Sequence, residues 1–466
     1  MQKELLLKLR NGDKLTLKDS IKLTIQISLP AIMSQISTII MEYADASMVG
    51  RLGAHDSASI GLVSSSTWLI GGLLNAASLG FSVQLAHRIG AKDNKEARNI
   101  MKIGLLSTML FSIVMLLIAI SIAKWLPSWL GGNKAIIDHA SLYFLIFACQ
   151  LPFQQLNNVA GGMLQASGNM KTPSLLNILM CLLNILFNLL LIFPSGTVGS
   201  LPGWNLGVAG AALGTALSQA IISLIMLYWL LRRSDLLKLR KGEKMHFSKG
   251  YFISAFRIAL PVALEQIAQD GAQIVSTRIV APLGTKAIAA NSFSVTAESL
   301  CYMPGYGIGV AATTMIGQSI GAKRDDLTYR LGWLVTILGM AVMSITGILM
   351  YIFAPFMLAT LTPHPSIQML GVRVLRIEAF AEPLFAASIV ATGVLRGTGD
   401  TMIPSLFNLV SMWLVRLPLA TLLSPKIGLV GVWSAMAIEL SVRGILFLWR
   451  LSKRNWSTKE VIIAHS

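Results

Sequence analysis

Residues 392–408 read TGVLRGTGDTMIPSLFN, and residues 161–177 read GGMLQASGNMKTPSLLN. Seven of the 17 positions coincide: Gly162, Leu164, Gly168, Pro173, Ser174, Leu175 and Asn177 all recur 231 residues later. The same offset relates Leu29-Pro30 to Leu260-Pro261, Gln35 to Gln266, Leu52-Gly53 to Leu283-Gly284, and Gly90-Ala91-Lys92 to Gly321-Ala322-Lys323. Towards the end of each copy the offset drops to 221, pairing Gly207 and Gly210 with Gly428 and Gly431, and the loop near 195–206 absorbs the difference. One unit has been built twice. The expected organisation is an amino-terminal lobe 1–231, a linker 232–250 (RRSDLLKLRKGEKMHFSKG) and a carboxy-terminal lobe 251–466.

Composition says what the unit is made of. The 466 residues are 54% hydrophobic and 13% charged, with a mean hydropathy of +0.67. A soluble domain carries about 25% charged residues, so a soluble enzyme is excluded. A bilayer-crossing helix needs about 20 mostly apolar residues. Twelve such runs occur, at 22–48, 57–86, 99–124, 136–163, 173–194, 207–231, 252–281, 287–320, 328–355, 367–396, 402–424 and 428–450. The fold class is an all-α integral membrane protein with six transmembrane helices per lobe. The first twenty or so residues are polar, so no signal peptide is expected.

The net charge of +17 belongs to topology. With both termini cytoplasmic, inner segments hold 27 Lys and Arg and outer loops hold 5, namely Arg51, Lys124, Lys134, Lys286 and Lys426. That bias orients the protein and removes a nucleic-acid footprint as its explanation. An even number of spans per lobe makes the repeat parallel, the arrangement in which two transporter halves rock about a central site. No GxxxxGK[ST] phosphate loop occurs, and Gly305, Gly307 and Gly309 lie in an apolar helix with no strand before them. Cys149, Cys181 and Cys301 form neither a disulfide framework nor a CxxC metal site. Energy must come from a gradient, and no cofactor is expected beyond the coupling ion.

Ionisable groups inside spans are costly and usually functional. Here they are Glu42, Asp45, Glu265, Asp270, Arg278, Glu298, Arg373, Arg376, Glu378, Glu382, Arg416, Glu439 and Arg443. Glu439 and Arg443 are spaced for an i,i+4 ion pair. Arg373, Arg376 and Glu378 fall in the outer half of their span, where water is accessible. Glu265, four residues past Pro261, is read either as a cleft-wall acid or as the buried partner of Arg278 or Arg416. Asp45 has only Glu42 as an acidic companion in its lobe and no basic residue in a span to neutralise it. Asn184 and Asn188 share one helix face, and Thr215 lies about 12 Å into the sixth span at 1.5 Å per residue. These four side chains suit a hard-cation shell, a proton site or interhelical amide bonding.

The stretch LPAIMSQISTIIMEYADASMVGRLG (29–53), the paired turns IGAK and IGAKRDD, and the repeated 161–177 and 392–408 segments resemble the multidrug and toxic compound extrusion (MATE) transporters over essentially the whole chain. The resemblance implies twelve helices in two lobes around a V-shaped cleft, and export of amphipathic organic cations in exchange for Na⁺ or H⁺. It places Asp45 on the family's helix-one acid, Asn184 on its helix-five asparagine and Thr215 on its helix-six threonine. Asn188 stands where many members carry Asp. Pro30 matches the proline at which helix one bends. The carboxy-terminal acids of the NorM-like branch fall on Gln269 and Phe385 here, while Glu265 and Glu382 look more like the DinF-like branch.

A cleft for lipophilic cations is apolar, adaptable and mildly acidic. Met33, Tyr43, Glu265, Glu298 and Glu382 are the candidate substrate-binding residues, with bundle packing as the alternative for each methionine. The expected partners are small amphipathic organic cations, H⁺ or Na⁺ and the lipid bilayer, with no nucleic acid. The protein is expected to be a monomer in the plasma membrane. Possible Na⁺ at Asp45 is the single metal site considered. The rival reading is a lipid-linked oligosaccharide or lipid flippase of the wider superfamily. Spans of the first lobe hold no Lys or Arg away from their ends, which disfavours an anionic head group.

Overall fold

A computed structural model describes residues 2–11, 13, 15–194, 203–240 and 242–456. Among them the chain is helical, with an isolated pairing of Pro194 and Trp204. The helices are α1 (Gln2–Asn11), α2 (Leu17–Gly50), α3 (Ala54–Gly90), α4 (Asn94–Ile122), α5 (Leu126–Trp129), α6 (Lys134–Ala166), α7 (Lys171–Ile192) and α8 (Gly207–Tyr228). The second half contributes α9 (Lys249–Val280), α10 (Thr285–Gly321), α11 (Asp325–Leu361), α12 (Pro365–Glu378), α13 (Glu382–Thr398), α14 (Met402–Val410), α15 (Leu417–Ile427) and α16 (Leu429–Ser452). A π-helical turn, Ser411–Arg416, joins α14 to α15, so 402–427 is one continuous rod.

Ten of the expected spans are helices long and apolar enough to cross a membrane. The other two differ for physical reasons. α10 is rich in Ala, Ser, Thr and Gly, and much of it is buried in protein, where less hydrophobicity is needed. The run 367–396, expected as one helix, is two. It breaks over residues 379–381 between Glu378 and Glu382, immediately before Pro383, which has no N–H to continue the backbone ladder. The polar amino terminus also holds a helix: α1 buries Leu5, Leu6 and Leu9, spaced to form one apolar stripe.

Contacts sort the helices into two compact units. Among the described residues, the N unit comprises Ser37–Ile89 and Asp93–Ala259; the C unit comprises those up to Ile36, Gly90–Lys92 and those from Leu260 to Trp456. These cuts fall inside α2 and α9, just beyond Pro30 and just before Pro261. The sequence repeat divides the chain elsewhere, in the linker, so α2 and α9 are each shared between units.

In the N unit α6 packs against α4 and α8, and α7 packs against α8. Its buried clusters include one around Phe81, Ile100, Met163 and Ile222, another around Val63, Leu74, Phe144 and Leu151, and a smaller one of Val49, Ile192, Phe193 and Ala211. The linker is fastened to the start of α4. Arg98 Nε donates to Glu243 Oε2 at 2.8 Å, Lys102 Nζ donates to the Glu243 carbonyl at 2.7 Å, and Asn99 exchanges two 2.9 Å hydrogen bonds with the His246 backbone. Hydrogen bonding from Arg98 holds the Glu243 carboxyl below the usual carboxylate range.

In the C unit α10 packs on α11 and α13, and α13 packs on α16. Its core includes Met343, Leu358, Trp433 and Leu440. α1 and Trp456 brace this unit. Arg10 Nε of α1 donates to Gln318 Oε1 at 3.1 Å, and Trp456 is fully buried against Tyr329. Large apolar side chains such as Leu117, Leu182, Ile345 and Leu414 are exposed, as expected where the surrounding solvent is hydrocarbon.

Candidate functional site

The four residues expected around Asp45 come together inside the N unit. α2 supplies Asp45, α7 supplies Asn184 and Asn188 one turn apart, and α8 supplies Thr215. Asn188 Nδ2 donates to Asp45 Oδ1 at 2.6 Å and lies 3.3 Å from Asn184 Oδ1. Asn184 Nδ2 donates to Thr215 Oγ1 at 3.0 Å, and that hydroxyl donates to the Ala211 carbonyl at 3.1 Å. Both asparagines are fully buried, whereas Asp45 is half-buried. The Asn188 carbonyl oxygen is buried without a hydrogen-bond partner.

Gly214 makes room for this arrangement. A methyl group there would overlap Asn188 Oδ1. The chain has therefore brought one carboxylate, two amide oxygens and a hydroxyl into one polar cluster between α2, α7 and α8. One of those amide oxygens is unsatisfied. Such a set can accept a proton on the carboxylate or surround a small hard cation with oxygens. Glu42, the other acid of this lobe, is exposed.

α2 runs unbroken from Leu17 to Gly50 through Pro30. Met33 and Tyr43 are exposed, at 51% and 38%. The acids of the C unit named as candidates, Glu265, Glu298 and Glu382, are buried. Glu265 is buried, and its partner is Arg396 at 3.0 Å, rather than Arg278 or Arg416. Ser405 Oγ and Asn408 Nδ2 donate to the same carboxylate, each at 2.6 Å. Arg396 lies in the last turn of α13 and reaches back into protein.

Glu298 and Glu382 are buried as well. Glu378, placed in water by its position along the span, is fully buried, because its helix face turns towards α10 and α16. Arg373 on the same helix is exposed. Glu439 and Arg443 form the expected i,i+4 pair at 3.2 Å. Phe385, at a NorM acid position, lies 5.5 Å beneath the Arg443 guanidinium. The Arg450–Asp400 pair, 3.3 Å apart, had no signal in the sequence, since its members are 50 residues apart.

The MatE family pattern matches residues 30–190 and 261–422, once in each half of the chain. The probable multidrug resistance protein NorM of Thermotoga maritima is 27% identical over 448 residues, covering 94% of this chain and 93% of that protein. The uncharacterized transporter YisQ of Bacillus subtilis is 25% identical, covering 90% and 91%. Among solved structures, the outward-facing conformation of a multidrug resistance MATE family transporter superposes with a TM-score of 0.87 at 22% identity, covering 96% of this chain and 98% of that one. With the repeat, the membrane helices and the family match agreeing, the chain belongs to the MATE family: it is a multi-pass membrane transporter and not an enzyme.

Proposed function

We propose that the protein exports amphipathic organic cations across the plasma membrane in exchange for H⁺ or Na⁺, by alternating access, with both termini and the 232–250 linker cytoplasmic. The observation that carries this is the Asp45 patch: a carboxylate hydrogen-bonded by Asn188 and joined through Asn184 to Thr215, with no cationic side chain in the set. An ionised carboxylate there, in low dielectric, favours any state in which a proton or cation neutralises it. Neutralisation in the outward-facing state lets α2 bend near Pro30 and release the drug. Loss of the ion to the cytoplasm restores the charge that draws the next cation in. The ion and the drug must each favour a different state for exchange to be coupled.

The drug class is supported by relatives named multidrug resistance proteins, including the one from Thermotoga maritima. Met33 and Tyr43, exposed on α2, suit contact with a lipophilic cation. Glu265, Glu298 and Glu382 are buried in their own unit, which favours a part in its charge balance over direct drug contact. The positions of Glu265 and Glu382 are the basis for proposing a DinF-like placement.

Ethidium efflux from proteoliposomes, driven separately by a pH gradient and by a Na⁺ gradient, tests the reading. One gradient is expected to drive efflux and the other to fail. Efflux indifferent to both would remove ion coupling, and ATP-independent flipping of a labelled lipid would favour the flippase alternative.

A further inference from the structure

α11 and α12 meet as antiparallel neighbours across the short turn 362–364: Gly371 packs on Leu358, and Arg376 on Tyr351. Between them lies an open groove of about 560 Å³, to which α11 contributes Pro355 and α12 contributes Met369, Val372, Arg373 and Arg376. The length of α11 sets the depth of this groove. Its 37 residues reach about 55 Å at 1.5 Å per residue, against about 30 Å of hydrocarbon. A helix centred in the bilayer therefore extends about eight residues past the hydrocarbon at each end. That puts the hydrocarbon edge near Phe353. Arg373, level with Pro355, lies just outside the edge, and Arg376, level with Tyr351, lies just inside it.

The two arginines are spaced i,i+3 and share a face of α12. Arg376 Nε donates to the Tyr351 carbonyl at 3.3 Å, and the guanidinium lies 5.0 Å from the centre of the Tyr351 ring. These contacts fix its height and leave its terminal nitrogens free. Arg373 is exposed, and among the described residues no acid pairs with either arginine. Glu378, two residues further on, is buried on another face of the helix. Two like charges one turn apart repel each other, and a cation at the hydrocarbon edge is costly unless it reaches water or an anion. Arg373 can extend to water; Arg376, held by Tyr351, cannot follow. One anion bridging both would offset both costs.

We propose that the α11–α12 groove binds an anionic phospholipid, with its phosphodiester bridged by Arg373 and Arg376 and the start of an acyl chain lying on Met369 and Val372. The guanidinium fork matches phosphate oxygens bidentately. The apolar part of the groove favours a lipid over a free anion, and two uncompensated cations favour a head group without an ammonium of its own. The site rests on the proposed topology only for its leaflet: with cytoplasmic termini it opens to the outer leaflet, and the opposite orientation would move it to the inner one unaltered.

Delipidated full-length protein in detergent, titrated with phosphatidylglycerol and separately with phosphatidylcholine, tests this by native mass spectrometry and by melting temperature. The wild type is expected to retain phosphatidylglycerol preferentially and to melt higher with it. Arg373→Gln combined with Arg376→Gln should weaken that binding about tenfold and remove the gain in melting temperature. The control, Arg232→Gln combined with Arg233→Gln, removes an exposed basic pair elsewhere and should keep both. If the double variant does not fold, Arg373→Gln alone, at an exposed side chain, should still reduce retention. Equal loss in the control would mean diffuse charge attraction and overturn the proposal. So would phosphatidylcholine bound as tightly as phosphatidylglycerol, or lipid displaced by inorganic phosphate at equal concentration. Efflux indifferent to both ion gradients would sink the antiport reading and leave lipid binding untouched, so the two failures are distinguishable.

Discussion

The two halves share a scaffold and differ in where they put their polar groups. At the repeat offsets, Asp45, Asn184, Asn188 and Thr215 correspond to Ser276, Val415, Leu419 and Met436, so the counterpart in the C unit keeps one hydroxyl and is otherwise apolar. Conversely, Glu265 and Arg396 correspond to Ser34 and Gln165, although Ser405 and Asn408 retain their equivalents Ser174 and Asn177. Ser405 donates to Glu265, whereas the Ser174 hydroxyl is buried without a partner. Shared glycines follow the scaffold: a Cβ at Gly210 or Gly431 would come within 2.5 or 2.6 Å of a carbonyl on the preceding helix. Gly214 follows the site instead, and its counterpart is Ala435. The lesson is that helix packing constrains the two copies alike, while each copy places its carboxylate independently.

The largest effect expected is from Asp45→Asn. It holds the neutral shape, so the protein should insert and express normally, yet gradient-driven efflux should fall on the order of 100-fold. Wild-type efflux with wild-type gradient dependence would remove the N-unit patch from the mechanism and leave the C unit to do the coupling.

Glu265→Gln sharpens the contrast from the other side. It leaves Arg396 unpaired, and that guanidinium is 23% exposed, so the loss in thermal stability is expected to be on the order of 2 kcal/mol, less than for a fully buried pair. Drug affinity in the folded fraction should be unchanged. Weakened binding at full stability would put Glu265 in contact with substrate.

Gly214→Ala probes the one glycine that serves the site. The methyl group would displace Asn188, at a cost of about 1–3 kcal/mol, and efflux should drop with it. The mirror change Ala435→Gly should lower stability by about 1 kcal/mol and leave coupling intact. Equal effects on coupling would mean that both positions serve packing alone.

The smallest effect belongs to the linker. Because Arg98 lowers the Glu243 carboxyl below its ordinary value, the pair stabilises the fold above about pH 4 and loses that contribution as pH falls through the folded value. Glu243→Gln should therefore lower the melting temperature at neutral pH, by less than about 1 kcal/mol in stability, and the gap to wild type should close on acidification. A gap that widens in acid would contradict the assigned pairing.

Much of the protein was legible in the sequence because the information is local. Apolar runs mark spans, since hydrocarbon cannot satisfy a bare backbone. Lys and Arg counts orient them, and identities at a fixed offset expose the repeat. The Asp45 patch was legible too: Asn184 and Asn188 share a face by helical spacing, and Thr215 is at a matching depth in the next helix. What tertiary structure decided was pairing across long sequence separation. Glu265 found Arg396, 131 residues away, and neither of the arginines nominated for it. Glu378 turned inward although its depth suggested water. A polar stretch at the amino terminus became a helix fastened to α10, and 367–396 broke at its two buried acids. Hydropathy and periodicity describe one helix at a time; which face of a helix meets which neighbour is settled only when the helices pack, and there the location of each buried charge is determined by the groups able to compensate it.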